Sequence, residues 1–205
     1  MEAVKAYIQQ GGLLMYPIIA GALWALLLVF ERIVFYIQTT ALISRQSEMF
    51  AKVLKAEGLE GAGKWIGTQK GLLPRVLSAG ANNVNLPVPR IEEKMEAVLL
   101  RELPAFSRYL NFIAVMASLM PMFGLLGTVT GMITTFKVIA LQGTGDAQAM
   151  AGGIAEALIT TQAGLIAAIP VILGHTFLSN RLKKITDTIK ESCHQLIDHL
   201  KDRHD

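Results

Sequence analysis

Charged side chains are missing from three long stretches of this sequence: none occurs from Ala6 to Phe30, from Tyr109 to Phe136, or from Ala157 to Asn180. Each stretch reaches the roughly 20 residues that a helix needs to cross the hydrocarbon core of a bilayer. Charged residues supply only 17% of the chain and apolar ones 52%, which excludes an ordinary soluble domain of this length. Cysteine is nearly absent too, and a lone Cys193 excludes an internal disulfide. A basic stripe with interleaved aromatics is also lacking, so no nucleic-acid partner is expected. Lys183 and Lys184 follow an apolar run and alternate with Asp187 and Glu191, so the net charge of +3 is explained by membrane topology.

An enzyme is not expected, because no nucleophile, base and orienting group converge. Ser192, Cys193 and His194 are adjacent and therefore point in different directions on a helix. His194, His199 and His204 are spaced by five, which does not match a metal site built on one helical face. Neither a metal nor a cofactor is expected, although a bound lipid is compatible with the composition.

What is present is an all-α membrane protein with three transmembrane helices, expected at Leu14 to Ile37, Leu110 to Phe136 and Ile154 to Leu178. The first run has no basic leader, since Glu2 and Lys5 cancel, and its apolar core exceeds the roughly 7–15 residues of a cleaved signal. It is expected to remain as a signal anchor. Lys and Arg number ten from Gln38 to Arg108 and six from Arg181 onward, against Lys5 alone before the first span and Lys137 alone between the second and third. Basic residues are retained on the cytoplasmic side, so the N-terminus is expected outside and the long loop and tail inside. The chain then divides into an outer N-terminus with the first span (1–37), a cytoplasmic helical loop (38–108), the second and third spans (109–180) and a cytoplasmic helical tail (181–205).

Within the loop, helices are expected from Gln38 to Lys55 and from Arg90 to Arg101. Gly58, Gly61, Gly63, Gly67, Gly71 and Pro74 separate them, Asn82 to Pro89 reads as a turn, and Pro104 is a candidate kink. In the tail, Leu182, Ile185, Ile189, Cys193, Leu196 and Leu200 form one apolar stripe, read as packing against the other cytoplasmic helices. A helix continuous from Ile154 to Leu200 would measure about 70 Å and extend well beyond the bilayer into the cytoplasm.

Two spans carry the functional signal. In the second, Ala117, Pro121, Gly124, Thr128, Gly131 and Thr135 recur at steps of three and four, making one face of small or hydroxyl-bearing residues. In the third, Gly152, Thr160, Ala163, Ala167, Pro170 and Gly174 lie within about 40° of Glu156 on a helical projection. Leu158, Ile159, Leu165, Ile166, Ile169, Ile172 and Leu173 take the other side. Small faces let helices approach closely in lipid, so close packing and a lined pathway are both open readings. Thr128 and Thr135 on a packing face would simply bond back to their own helix.

Glu156 is the only acid in the expected third span, and an ionisable group in a span is by default functional. Two readings stand. Buried, the carboxyl would favour its neutral form and could pick up and release a proton. Near the expected boundary at Ile154, it could instead be an anion at a helix N-terminus. Gln162 falls off the small face without an evident partner, and His175 lies near the inner end of the span.

The segments Pro121-Met-Phe-Gly-Leu-Leu-Gly-Thr-Val-Thr-Gly-Met132 and Gly153-Ile-Ala-Glu-Ala-Leu-Ile-Thr-Thr-Gln-Ala-Gly-Leu-Ile-Ala-Ala-Ile-Pro170 resemble the signature segments of the MotA/TolQ/ExbB proton-channel family. The three-span layout with a large first loop is similar to its ExbB and TolQ branches rather than to the four-span flagellar stator. The resemblance implies that Glu156 is the membrane carboxyl of the proton pathway and that Thr128 and Thr161 are hydroxyls facing it. Thr161 projects about 140° from Glu156, so the helical projection does not itself supply that role. Gln162 departs from the small residue expected there, and His175 from an aromatic one. The resemblance further implies a bacterial inner-membrane location with a periplasmic N-terminus, and a homo-oligomer, a pentamer, around an ExbD-type single-span dimer. It also implies a TonB-type transducer as the partner that carries motion onward, to drive outer-membrane import. A TolQ-like envelope role, a gliding motor and a non-conducting scaffold are the alternatives.

Overall fold

A computed structural model of the chain describes residues 2–142 and 147–204. Six helices follow one another: α1 (Glu2–Gln10), α2 (Met15–Thr68), α3 (Leu72–Ala81), α4 (Val88–Phe106), α5 (Leu110–Gln142) and α6 (Ala147–His204). No strand occurs among the described residues. Three helices, α2, α5 and α6, are long and apolar enough to cross a membrane. The chain divides into two compact units, and α2 and α6 each supply a segment to both.

The first unit comprises Met1–Arg32 and Tyr109–Phe177. Its interior is built from stripes at helical spacing: Ile18, Ala25 and Val29 on α2, Ile113, Ala117 and Met120 on α5, and Ala157, Thr160, Ala168 and Val171 on α6. The outside of the same helices is equally apolar. Leu27, Phe30, Met122, Leu125, Phe136, Leu158 and Leu173 are all exposed, as expected of helices whose solvent is hydrocarbon rather than water. Arg32 is buried, with its guanidinium 4.7 Å from the Tyr109 ring centroid. Tyr109 itself takes a left-handed φ of 69° just before α5 begins.

The second unit comprises Ile33–Arg108 and Leu178–Asp205. Tyr36, Ile43 and Phe50 on α2, Leu73 and Leu77 on α3, Ile91 and Met95 on α4, and Ile185, Ile189 and Leu196 on α6 are all buried. The tail stripe is thus a packing stripe; Cys193, on its edge, is only half-buried. Polar links run between the helices: the Tyr36 hydroxyl donates to the Phe106 carbonyl at 2.7 Å, and the Ser47 and Ser192 hydroxyls are 2.8 Å apart.

Helix boundaries in this unit differ from the sequence expectation in three ways. The helix expected to stop at Lys55 runs on to a break at Gly58, and a second helical stretch, not expected, continues from there to Thr68 through Gly61, Gly63 and Gly67. Only Gly58 leaves helical geometry, at φ 66°, ψ −159°, because burial of Ala62 and Ile66 outweighs the modest helix penalty of the later glycines. A helix expected nowhere, α3, starts directly after Gly71 with Pro74 in its first turn, a position that needs no N–H. Finally, α4 begins at Val88 inside the expected turn, with Pro89 in its first turn, and extends two residues past Pro104.

Candidate functional site

The first unit brings α5 and α6 into backbone contact. A Cβ on Gly164 would come within 2.6 Å of the Met120 carbonyl oxygen and 3.0 Å of the Gly124 Cα. One on Gly131 would come within 3.1 Å of the Gly153 carbonyl oxygen, and one on Gly124 within 3.1 Å of the Thr161 Cα. The small face of α5 therefore does pack, and Gly124, Gly131 and Thr135 are buried in it. On α6, however, the buried line is Ala157, Thr160, Gly164, Ala168 and Val171, rotated from the stripe drawn through Glu156. The two share Thr160, while Ala163 and Ala167 are half-buried beside it and Gly152 and Pro170 are exposed. The rotation has a plain cause: α5 presents glycines, so it seats the α6 residues whose Cα and Cβ approach most closely, and it leaves the long Glu156 side chain to one side.

This rotation aims Thr161 at α5. Its hydroxyl donates to the Gly124 carbonyl at 2.9 Å and lies 3.2 Å from the Thr128 hydroxyl, which is 2.7 Å from the Leu125 carbonyl. Thr128 and Thr161 thus form a pair across the two helices. Thr135 bonds back to the Gly131 carbonyl at 3.0 Å, as a hydroxyl on a packing face does.

Glu156 stands apart from that pair. It is exposed on the isolated chain and lines a cleft of about 300 Å³ together with Leu126, Gly127, Thr130, Thr134 and Thr160. The remaining wall is the N-terminal turn: Gly11, Leu13 and Leu14 line the same cleft. Because α6 is already helical at Ala147, Glu156 lies more than two turns inside it. The helix thus starts ahead of the span boundary expected at Ile154, and the first-turn macrodipole does not reach Glu156.

Several contacts here had no counterpart in the sequence reading. The Thr160 hydroxyl sits 2.8 Å from the Gly11 carbonyl and 2.7 Å from the Glu156 carbonyl, so its single proton is shared between them. Gln162 accepts a hydrogen bond from the Tyr7 hydroxyl at 3.0 Å. His175 is half-buried on α6. The one sequence signal for this N-terminal arrangement was the Gly11-Gly12 doublet ahead of the first apolar run.

Among the described residues, no three His, Cys, Asp or Glu side chains converge to hold a metal ion. The site offers one carboxyl and a few hydroxyls in a cleft whose walls are otherwise apolar, an arrangement suited to moving protons or ordering water.

Residues 68–191 match the MotA/TolQ/ExbB proton channel family. Across 187 residues, 89% of this chain, the sequence is 28% identical to a biopolymer transport protein ExbB homolog of Methanothermobacter thermautotrophicus. It is 38% identical over 106 residues, 50% of the chain, to the Tol-Pal system protein TolQ of Haemophilus influenzae. To the biopolymer transport protein ExbB of Salmonella typhimurium it is 32% identical over 111 residues, 52% of the chain. The matched stretch spans 65% of the first relative and 46% of each of the other two.

Proposed function

The chain belongs to the MotA/TolQ/ExbB proton channel family, and from that premise we propose that it is an inner-membrane motor subunit in which Glu156 carries protons to power a partner protein. The observation that carries this reading is the setting of Glu156. It is the sole acid between Lys137 and Asp187 apart from Asp146, it lies more than two turns inside a helix long and apolar enough to cross a membrane, and it lines a cleft with Thr130, Thr134 and Thr160. An ionisable side chain in a span is costly to keep, and a proton path is the use that this surrounding chemistry fits.

In this reading the N-terminus is periplasmic and the second unit is cytoplasmic. The subunits form a pentamer around an ExbD-type single-span partner, which closes the Glu156 side of α6 and supplies the second carboxyl of the path. Thr128 and Thr161 are the hydroxyl pair along that path, and Ala163, Ala167 and Pro170 give the partner helix a smooth surface to move against. Proton passage then drives a TonB-type transducer for outer-membrane import. A TolQ-type role in the envelope is the second reading, favoured by the higher identity to the TolQ relative. Deleting the chain in its host separates the two: the first predicts lost import with an intact envelope, the second a leaky envelope with import retained.

Glu156→Gln tests the shared core of both. The motor reading predicts that the variant copurifies with its partners as the wild type does, while the proton-driven process is lost. Normal assembly with normal function would leave a scaffold instead.

A further inference from the structure

The connection from α1 to α2 passes through two glycines, and the second of them, Gly12, sits directly on Glu156. Gly12 has φ +68°, and a Cβ built on it would collide with Glu156 Oε1, so both backbone and space there favour glycine. A Cβ on the neighbouring Gly11 would stand 3.2 Å from Ile159 Cγ2. Two hydrogen bonds fasten this turn to α6: Tyr7 hydroxyl to Gln162 Oε1 at 3.0 Å, and Thr160 hydroxyl to the Gly11 carbonyl at 2.8 Å. These contacts all lie on the C-terminal side of the carboxyl along α6, at the third, fourth and sixth residues beyond it.

The turn is also one wall of the cleft, and the opposite wall, on α5, carries two hydroxyls. Thr130 and Thr134 are exposed between Leu126, Val129, Ile133 and Phe136. Their hydroxyl protons are committed to backbone carbonyls, Thr130 to Leu126 and Gly127 at 3.0 and 3.1 Å and Thr134 to Thr130 at 3.0 Å. Each keeps oxygen lone pairs to accept from water. A cleft of about 300 Å³ holds several waters, and these hydroxyls with the Glu156 carboxyl give a water its two or more polar partners.

We propose that the Gly11-Gly12 turn, latched by Tyr7 on Gln162, is the gate on the N-terminal side of the proton path, and that Thr130 and Thr134 line the water-filled entry behind it. This rests on the reading of Glu156 as the proton carrier. With the latch made, Gly12 lies against one side of the carboxyl, and in the assembly the partner helix closes the side left exposed on the isolated chain; with the latch released, α1 swings on two glycines and the cleft opens to water. The latch is a single neutral hydrogen bond, so losing it shifts the opening equilibrium by about threefold to tenfold.

The test uses the full chain in membranes with its partners. A water-soluble carbodiimide and glycine methyl ester label accessible carboxyls, and mass spectrometry of the Glu156 peptide gives the labelling rate. Tyr7→Phe and Gln162→Leu are each expected to raise that rate by about threefold to tenfold, with the double variant no faster than either alone, because both break one bond. Thr134→Val is expected to lower proton flux while Thr134→Ser retains it. Unchanged labelling in both single variants, or flux unaffected by Thr134→Val, overturns the gate. Glu156→Gln keeps the two readings separate: if flux survives in that variant, the proton-carrier reading falls. If flux is lost there yet Tyr7→Phe and Gln162→Leu label like the wild type, only the gate falls.

Discussion

Thr128 and Thr161 meet across α5 and α6 with 3.2 Å between their Oγ1 atoms, and Thr161 also donates to the Gly124 carbonyl. The pair needs the glycine-lined contact, since a side chain at Gly124 would push against the Thr161 backbone. If the pair orders the proton path, removing one hydroxyl costs roughly the value of a hydrogen bond, or about tenfold in rate. Thr161→Val is therefore expected to lower proton flux about tenfold with assembly intact, and Thr161→Ser to restore most of it. Flux measurements on purified, partner-bound variants check this.

Close approach of the two helices predicts a contrast between glycines on α6. Gly164→Ala forces its Cβ against the Met120 carbonyl oxygen and should destabilise by about 1–3 kcal/mol, read as a lower Tm in detergent. Gly152 has nothing within 4 Å of its would-be Cβ, so Gly152→Ala should leave Tm unchanged or slightly raised.

Burial, with Glu92 adding to it, pushes the Cys193 thiol up from 9.0 to about 12. The neutral thiol is the favoured folded form, so its contribution to stability is complete below pH 9 and is lost as pH rises towards 12. At pH 8 the folded chain should react with N-ethylmaleimide on the order of a thousandfold more slowly than the unfolded chain, because the thiolate is the nucleophile. Timed alkylation read by intact mass checks it.

Gly58 is the one residue inside α2 that leaves helical geometry, at φ 66°. Gly58→Ala should cost about 1–2 kcal/mol because an L side chain strains that conformation, whereas Gly63→Ala, with open space at its Cβ, should be neutral or mildly stabilising. Urea or thermal unfolding followed by helical circular dichroism distinguishes them.

The helical class and the three spans were legible because runs without charge are a direct statement about solvent. The small face of α5 was legible because glycine spacing reports close approach whatever the partner. The facing residues of α6 were not: Glu156 drew the projected stripe towards itself, while the packed line runs through Ala157, Thr160 and Gly164. A helical projection ranks residues around one helix and carries no information on which sector its neighbour occupies. For the same reason the projection could not show that Thr161, off the Glu156 stripe, faces Gly124. Gln162 had no visible role because its partner, Tyr7, lies 155 residues away. Pro74 and Gly71 read as breakers, yet together they begin α3, since proline is tolerated in a first turn.

Proton flux through the reconstituted complex measures the central claim most directly. Proteoliposomes holding the chain with the proposed single-span partner, loaded with a pH-sensitive dye and driven by a potassium diffusion potential, should acidify with wild-type protein. With Glu156→Gln, assembled to the same extent, they should fall to the rate of empty vesicles. Flux in the Glu156→Gln complex equal to the wild type would contradict the account.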